Sequence, residues 1–220
     1  QILKTTGKKY PVRISVKGTA FISDEYMKVL EDYSTASILI SIISTEENKI
    51  SNIEVGAPLV KDRFNLATAL SRTRVKLGLR LRPIIPKFTK TTLEQLLYEA
   101  KKSGFQWVTV EWLRLPRTMT KVTFRNYNKL SEIVGYDVID YYRKHSDSYG
   151  DNSGVLRLCK DVTNDLYEEI MRLGKSMGLR IASCNKDYRC MKTFTPNCCG
   201  VPLTDRHWSR MQLSYAVYMA

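Results

Sequence analysis

The chain has 220 residues, 43% of them hydrophobic, and carries 35 Lys and Arg against 22 Asp and Glu, a formal net charge of +13. This apolar content excludes a disordered chain and is enough for one large α/β domain. No run of about 18 apolar residues and no signal peptide occur, which predicts a cytoplasmic protein without a membrane partner. The basic surplus allows DNA or RNA as a partner, and a basic surface without a specific partner is the alternative.

Strands and helices alternate along most of the chain. Apolar periodicity predicts strands at residues 11–17, 37–43, 75–82, 105–112 and 179–184. It predicts helices at residues 24–33, 59–73, 92–103, 128–144 and 162–177, with a last helix from about residue 204 and a loop between the second strand and Pro58. Repeated strand–helix units imply a parallel sheet packed against helices. The predicted fold class is therefore α/β, a partial or open (β/α) TIM-type barrel with a Cys-rich C-terminal segment.

The chain divides into three predicted parts. Residues 1–116 form the central part of the barrel, residues 117–160 an insertion or lid, and residues 161–220 the last barrel unit with the Cys-rich region. The sequence starts at Gln1 rather than Met, and its last ten residues resemble a truncated helix. We therefore expect a fragment of a longer protein.

The predicted strands alternate in polarity, although strands buried on both faces are nearly continuous in apolar residues. The third strand places Leu77, Leu79 and Leu81 on one face and Lys76, Gly78, Arg80 and Arg82 on the other. Because side chains alternate with period two, one face receives the helices and the other is polar and mostly basic. An antiparallel sheet with one wet face is the alternative. The polar residues nearest the strand ends, where parallel sheets bind ligands, are Lys17, Ser41, Arg82, Glu111 and Cys184.

Four of the five cysteines lie close together near the C-terminus. Cys159 stands apart, whereas Cys184, Cys190, Cys198 and Cys199 fall within sixteen residues. Thiolates at this spacing on an irregular segment are candidate ligands of an auxiliary iron–sulfur cluster or another metal. The alternatives are buried structural cysteines, and thiol chemistry directed at a redox partner or substrate.

Four segments in the first half of the chain resemble a known group of enzymes. They are PVRISVKGT (11–19), ILISIIST (38–45), VGAPLVKDRFNLATAL (55–70) and VKLGLRLRPIIP (75–86). Their order and spacing over residues 11–116 resemble the radical S-adenosylmethionine (SAM) enzymes related to spore photoproduct lyase, a group that includes DNA-repair photolyase-like proteins. The resemblance implies a partial barrel that binds SAM.

The resemblance also implies roles for individual residues. Lys17 and Ser41 match the positions that hold the SAM carboxylate, a role that suits an ammonium and a hydroxyl at neighbouring strand ends. Arg82 is grouped with them, and Ile84 and Ile85 match the apolar positions beside the adenine. A cysteine near the substrate donates a hydrogen atom in this group, and Cys184 is the candidate here.

The iron–sulfur motif of the group does not occur in this sequence. Its three cysteines, Cys-x3-Cys-x2-Cys, bind a [4Fe–4S] cluster that cleaves SAM to a 5′-deoxyadenosyl radical, with electrons from a reductant such as flavodoxin or ferredoxin. The group places this motif before the first strand, so we expect the cluster ligands upstream of Gln1 and an inactive fragment without them.

Three functional interpretations follow. The first is a radical SAM enzyme of unknown substrate, with nucleic acid as a candidate. The second is a non-catalytic barrel that binds nucleic acid or a nucleotide and has lost the cluster. The third is a metal-binding barrel that uses only the C-terminal cysteines.

Overall fold

A computed structural model describes residues 12–19, 23–31, 36–146 and 154–183 of the chain. Cys184, Cys190, Cys198 and Cys199 lie outside the described residues, and so does the helix predicted from residue 204. Neither the auxiliary metal site nor the hydrogen-donor role of Cys184 is therefore tested.

Five parallel strands form the main sheet, and a two-stranded antiparallel ribbon lies apart from it. The strands are β1 (Val12–Val16), β2 (Ala36–Ser41), β3 (Lys76–Ile84), β4 (Trp107–Trp112), β5 (Leu115–Pro116), β6 (Val155–Leu156) and β7 (Arg180–Ser183). The order in the main sheet is β1-β2-β3-β4-β7, and every neighbouring pair is parallel. The prediction of an α/β fold with a parallel sheet is confirmed.

Helices connect the strands and cover one face of the sheet. They are α1 (Asp24–Glu31), α2 (Glu47–Ile53), α3 (Val60–Leu70), α4 (Phe88–Thr91), α5 (Leu93–Lys102), α6 (Lys121–Val134), α7 (Val138–His145) and α8 (Lys160–Ser176). None of these helices combines the length and the apolar character that a membrane crossing requires.

The apolar face of the sheet and the inner sides of the helices form one core. The alternating strand residues Ile38, Ile40, Leu77, Leu79, Leu81, Val108 and Val110 pack with Leu66, Leu70, Leu96, Leu97 and Ile170 of the helices. Burial of each of these side chains stabilises the fold by about 1.5–3 kcal/mol. The period-two pattern therefore identified the helix-facing side correctly.

Two of the predicted elements were wrong. The helix expected over residues 128–144 is two helices, because Gly135 adopts a left-handed conformation with φ 81° and ends α6. Asp137 then begins α7, its side chain accepting a hydrogen bond from the backbone N–H of Asp140 at 2.9 Å. The loop expected before Pro58 contains α2, which is anchored by the buried Ile50.

Trp107 fills the polar side of the sheet between β3 and β4. It pairs in register with Gly78, and both residues point to the face opposite the helices. The Trp107 ring is fully buried and lies over Gly78 so closely that a Cβ atom there would sit 2.4 Å from ring atom Cε2. Gly78 is therefore required by the close approach of the indole.

We predict that Gly78→Ala lowers the free energy of unfolding by about 1–3 kcal/mol, the typical cost of overpacking a filled site. A Cβ at residue 78 would lie within 2.6 Å of three atoms of the buried indole. Urea unfolding of the variant measures the effect. Gly18→Ala is the matched control, because a Cβ there meets no atom within 4 Å; an equal loss in both variants would contradict the proposed clash.

Candidate ligand site at the carboxyl edge of the sheet

The carboxyl ends of the parallel strands bring several of the predicted site residues to one edge. Val16 pairs with Ile40, so Lys17 and Ser41 follow at neighbouring positions of β1 and β2. Arg82 and Glu111 lie at the same edge, near the ends of β3 and β4. Ligands of parallel α/β folds bind at this edge.

A buried carboxylate connects Lys17 to the rest of the protein. One oxygen of Glu54 lies 2.8 Å from Lys17 Nζ, and the other lies 2.5 Å from Arg63 Nη1. The side chains of Glu54 and Arg63 are 5% and 1% exposed, whereas that of Lys17 is 46% exposed. Glu54 thus holds the Lys17 ammonium from the protein interior, and the opposite side of the ammonium is open to solvent.

Arg63 extends this network to the end of β2. Its Nη1 donates to the carbonyl oxygen of Ser41 and its Nε to that of Pro58, both at 2.9 Å. Glu54 and Arg63 were not among the residues that the sequence predicted for this site. A signal existed for Arg63, which lies three residues after Val60 on the apolar stripe of its helix, where a charged residue needs a buried partner.

A second carboxylate stands between two arginines at the ends of β3 and β4. Glu111 is 7% exposed and forms ion pairs with Arg82 and Arg114. Leu81 pairs with Val110, and the next pair joins Ile84 to Trp112. Two consecutive residues of β3 therefore lie opposite the single residue Glu111 of β4. This β-bulge places Arg82 beside Glu111.

The remaining residues of the predicted SAM site lie in the core. Ile84 and Ile85 are 0% and 1% exposed and belong to the main apolar cluster. Their predicted place beside an adenine, like the predicted SAM contacts of Lys17, Ser41 and Arg82, stays a prediction.

Tyrosines fasten the segment after β4 to the same edge. The hydroxyl of Tyr136 donates to the carbonyl of Pro86 at 2.5 Å, and that of Tyr142 to the carbonyl of Leu113 at 2.6 Å. Burial raises the pKa of both tyrosines above the usual value, so the hydroxyls remain protonated donors. Helices α6 and α7 are therefore held beside the ends of β3 and β4, and the lid role predicted for residues 117–160 stays a prediction.

The described part of the chain contains one cysteine, the half-buried Cys159. Within the same residues, no three His, Cys, Asp or Glu side chains are grouped so that they could hold a metal ion. The three thiolates of a [4Fe–4S] cluster are therefore not supplied by the described residues.

The fold is similar to that of solved structures of spore photoproduct lyase. A cysteine-to-serine mutant superposes with a TM-score of 0.58 at 18% sequence identity, over 77% of this chain and 49% of that chain. A mutant with bound AdoMet and dinucleoside spore photoproduct gives a TM-score of 0.56 at 16% identity, with the same coverage. No protein-family model matches the chain, and the search of curated proteins gives no match either.

These similarities confirm the fold and show how much of the similar proteins this chain corresponds to. The open parallel sheet has the architecture of the radical SAM partial barrel of spore photoproduct lyase, as the sequence predicted. The chain spans about half the length of the solved proteins it matches. At this level of sequence identity the similarity is one of fold.

We predict that Glu54→Ala lowers the free energy of unfolding by about 3–5 kcal/mol, because it leaves the buried Arg63 guanidinium without its counterion. Urea unfolding measures this change. Replacing both partners, as Glu54→Leu with Arg63→Met, should recover most of the loss, because no unpaired charge then remains buried. The matched control is Glu168→Ala on the exposed side of α8; a loss in Glu54→Ala no larger than in this control would show that the ion pair does not matter.

Proposed function

We propose that the chain forms the SAM-binding part of a radical SAM enzyme. The observation that carries this proposal is the position of Lys17 beside Ser41 at the carboxyl edge of a spore photoproduct lyase-like sheet. An ammonium and a hydroxyl at adjacent strand ends form a binding site for one carboxylate. Because the chain covers about half of the similar enzymes, the activity of the whole protein is part of the proposal.

The chemistry of Lys17 and Ser41 fits the SAM carboxylate. The Lys17 ammonium has three N–H groups, of which Glu54 takes one, and half of its side chain is exposed. The Ser41 hydroxyl has no hydrogen-bond partner among the described residues. When SAM is bound and reductively cleaved, it supplies the radical that abstracts hydrogen from the substrate.

In this proposal the protein's own residues hold and orient SAM. Glu54 and Arg63 fix Lys17 relative to the end of β2. The thiolates for the cluster come from the Cys-x3-Cys-x2-Cys motif that we place upstream of Gln1, in a cytoplasmic enzyme reduced by flavodoxin or ferredoxin. Cys184, which directly follows β7, is the proposed hydrogen donor.

We predict that Lys17→Ala weakens SAM binding about tenfold to a hundredfold, the loss that a charge-assisted hydrogen bond of about 1.5–3 kcal/mol implies. Equilibrium dialysis of the 220-residue chain with radiolabelled SAM gives the dissociation constants. The matched control is Lys61→Ala, an exposed lysine of α3. The proposal fails if the wild-type chain does not bind SAM, or if the two variants bind it equally well.

A surface stripe on α6 favours nucleic acid as the partner, either as the substrate or in a non-catalytic binding protein. Lys121, Arg125 and Lys129 recur every four residues, about 6 Å apart along the helix axis. All three are exposed, and none forms an ion pair with another described residue. Phe124, which is 45% exposed beside them, offers a surface on which a base can stack.

We predict that changing these three α6 residues to Gln weakens the binding of single-stranded DNA and makes the negative slope of log K against log salt less steep by about 2, since each of the three phosphate contacts contributes about 0.7. Fluorescence anisotropy with a labelled oligothymidylate at several salt concentrations measures both. The matched control removes the same charge from three other helices through Lys28, Lys61 and Lys175, all exposed. Equal losses in the two triple variants would indicate attraction by net charge alone.

A further inference from the structure

We infer that the polar face of the sheet holds a second anion site, centred on Arg80, which binds a phosphate group of the substrate. This inference deepens the proposed function and rests on it, because it assigns to the substrate an anion that SAM does not provide. The site is a row of donors that crosses three neighbouring strands.

The row consists of Ser41, Arg80 and Thr109. Ser41 of β2 pairs in register with Arg80 of β3, and Arg80 pairs with Thr109 of β4. Register partners in neighbouring strands point to the same face, and strands are spaced by about 4.8 Å. Arg80 thus lies between a serine and a threonine of the neighbouring strands, on the same face and at the middle of the sheet.

None of these three side chains forms a hydrogen bond or an ion pair with another residue in the described part of the chain. Ser41 and Thr109 are 4% and 5% exposed, and Arg80 is half-buried. A partly desolvated guanidinium without a counterion is unfavourable unless an anion binds to it. Unused donors side by side are what an anion site requires.

The carboxylates of this edge are already engaged. Glu54 is shared by Lys17 and Arg63. Glu111 is shared by Arg82 and Arg114. Each carboxylate therefore faces two cations, and neither neutralises Arg80.

SAM does not neutralise Arg80 either. It carries one carboxylate, one ammonium and one sulfonium, so its net charge is positive, and its carboxylate is assigned to Lys17 and Ser41. Neither SAM nor a carboxylate of the described residues thus neutralises Arg80, and we assign a further ligand with negative charge to it. Phosphate suits Arg80 and Thr109, the two donors of the row that SAM leaves unused, better than a carboxylate does, because it presents more oxygen atoms to separate donors and binds the arginine fork in a bidentate manner.

Equilibrium dialysis of the 220-residue chain with radiolabelled inorganic phosphate tests the inference. Arg80→Gln should raise the dissociation constant of phosphate about tenfold to a hundredfold, as the loss of a charged hydrogen bond implies. Thr109→Val, which keeps the charge, should raise it by a smaller factor of about three to ten. The matched control, Arg13→Gln, removes an exposed charge from the same face at the amino end of β1 and should leave phosphate binding unchanged.

Competition identifies the source of the phosphate. Displacement by adenosine monophosphate supports a phosphomonoester substrate, and displacement by a thymidine dinucleotide supports a phosphodiester. Stronger displacement by malonate than by either overturns the inference in favour of a carboxylate. Absence of saturable phosphate binding, or an equal loss in Arg13→Gln and Arg80→Gln, overturns it as well.

SAM binding by the same samples separates this inference from the proposed function. If Arg80→Gln weakens SAM binding and leaves phosphate binding intact, Arg80 belongs to the SAM site and the inference is wrong. If the wild-type chain binds phosphate through Arg80 but does not bind SAM, the anion site stands and the radical SAM proposal fails.

Discussion

The buried carboxylate of Glu54 determines the geometry of the carboxyl edge. It lies between Lys17, which follows β1, and Arg63 of α3, and Arg63 also donates to the carbonyl of Ser41 at the end of β2. A single ionic network thus connects the ends of β1 and β2 to helix α3. Such buried pairs add little net stability compared with apolar residues, but removing one partner is strongly unfavourable. The network therefore fixes the position of the Lys17 ammonium more than it strengthens the fold.

The two faces of the sheet have different roles because helices cover one of them, whereas the other carries polar and charged side chains. The apolar face is covered by helices and supplies the core. On the polar face, Trp107 covers Gly78 and is fully buried, so this part of the sheet is closed by a side chain. The charged residues Arg80 and Arg82 follow Gly78 toward the carboxyl end of β3. Closure at Trp107 and charge beyond it confine any ligand on β3 to the carboxyl edge, where Lys17 and Ser41 also lie.

The sequence predicted the features that depend on local periodicity. It could not predict contacts between residues that are distant from each other in the sequence. Alternation in β3 identified both faces, and strand ends identified Lys17, Ser41, Arg82 and Glu111 as neighbours at one edge. The contact of Glu54 with Lys17 spans a crossover, and no local pattern reports which strand end a loop residue will reach. The bulge that sets Arg82 against Glu111 depends on pairing between strands. The break at Gly135 was different, because a glycine followed by Asp137 is a local signal of a helix end and a new helix start.

Similarity of fold fixes where a ligand can bind but not which ligand binds, because one fold hosts many chemistries. The similar enzymes share under a fifth of their residues with this chain, so its own side chains must decide the ligand. The decisive ones lie on β3, the central strand of the sheet. Arg80 there has no counterion among the described residues, whereas Lys17, which follows β1 two strands away, has Glu54. Fold similarity alone does not predict this difference in charge pairing, so the side chains of this edge would be what distinguishes one anion from another.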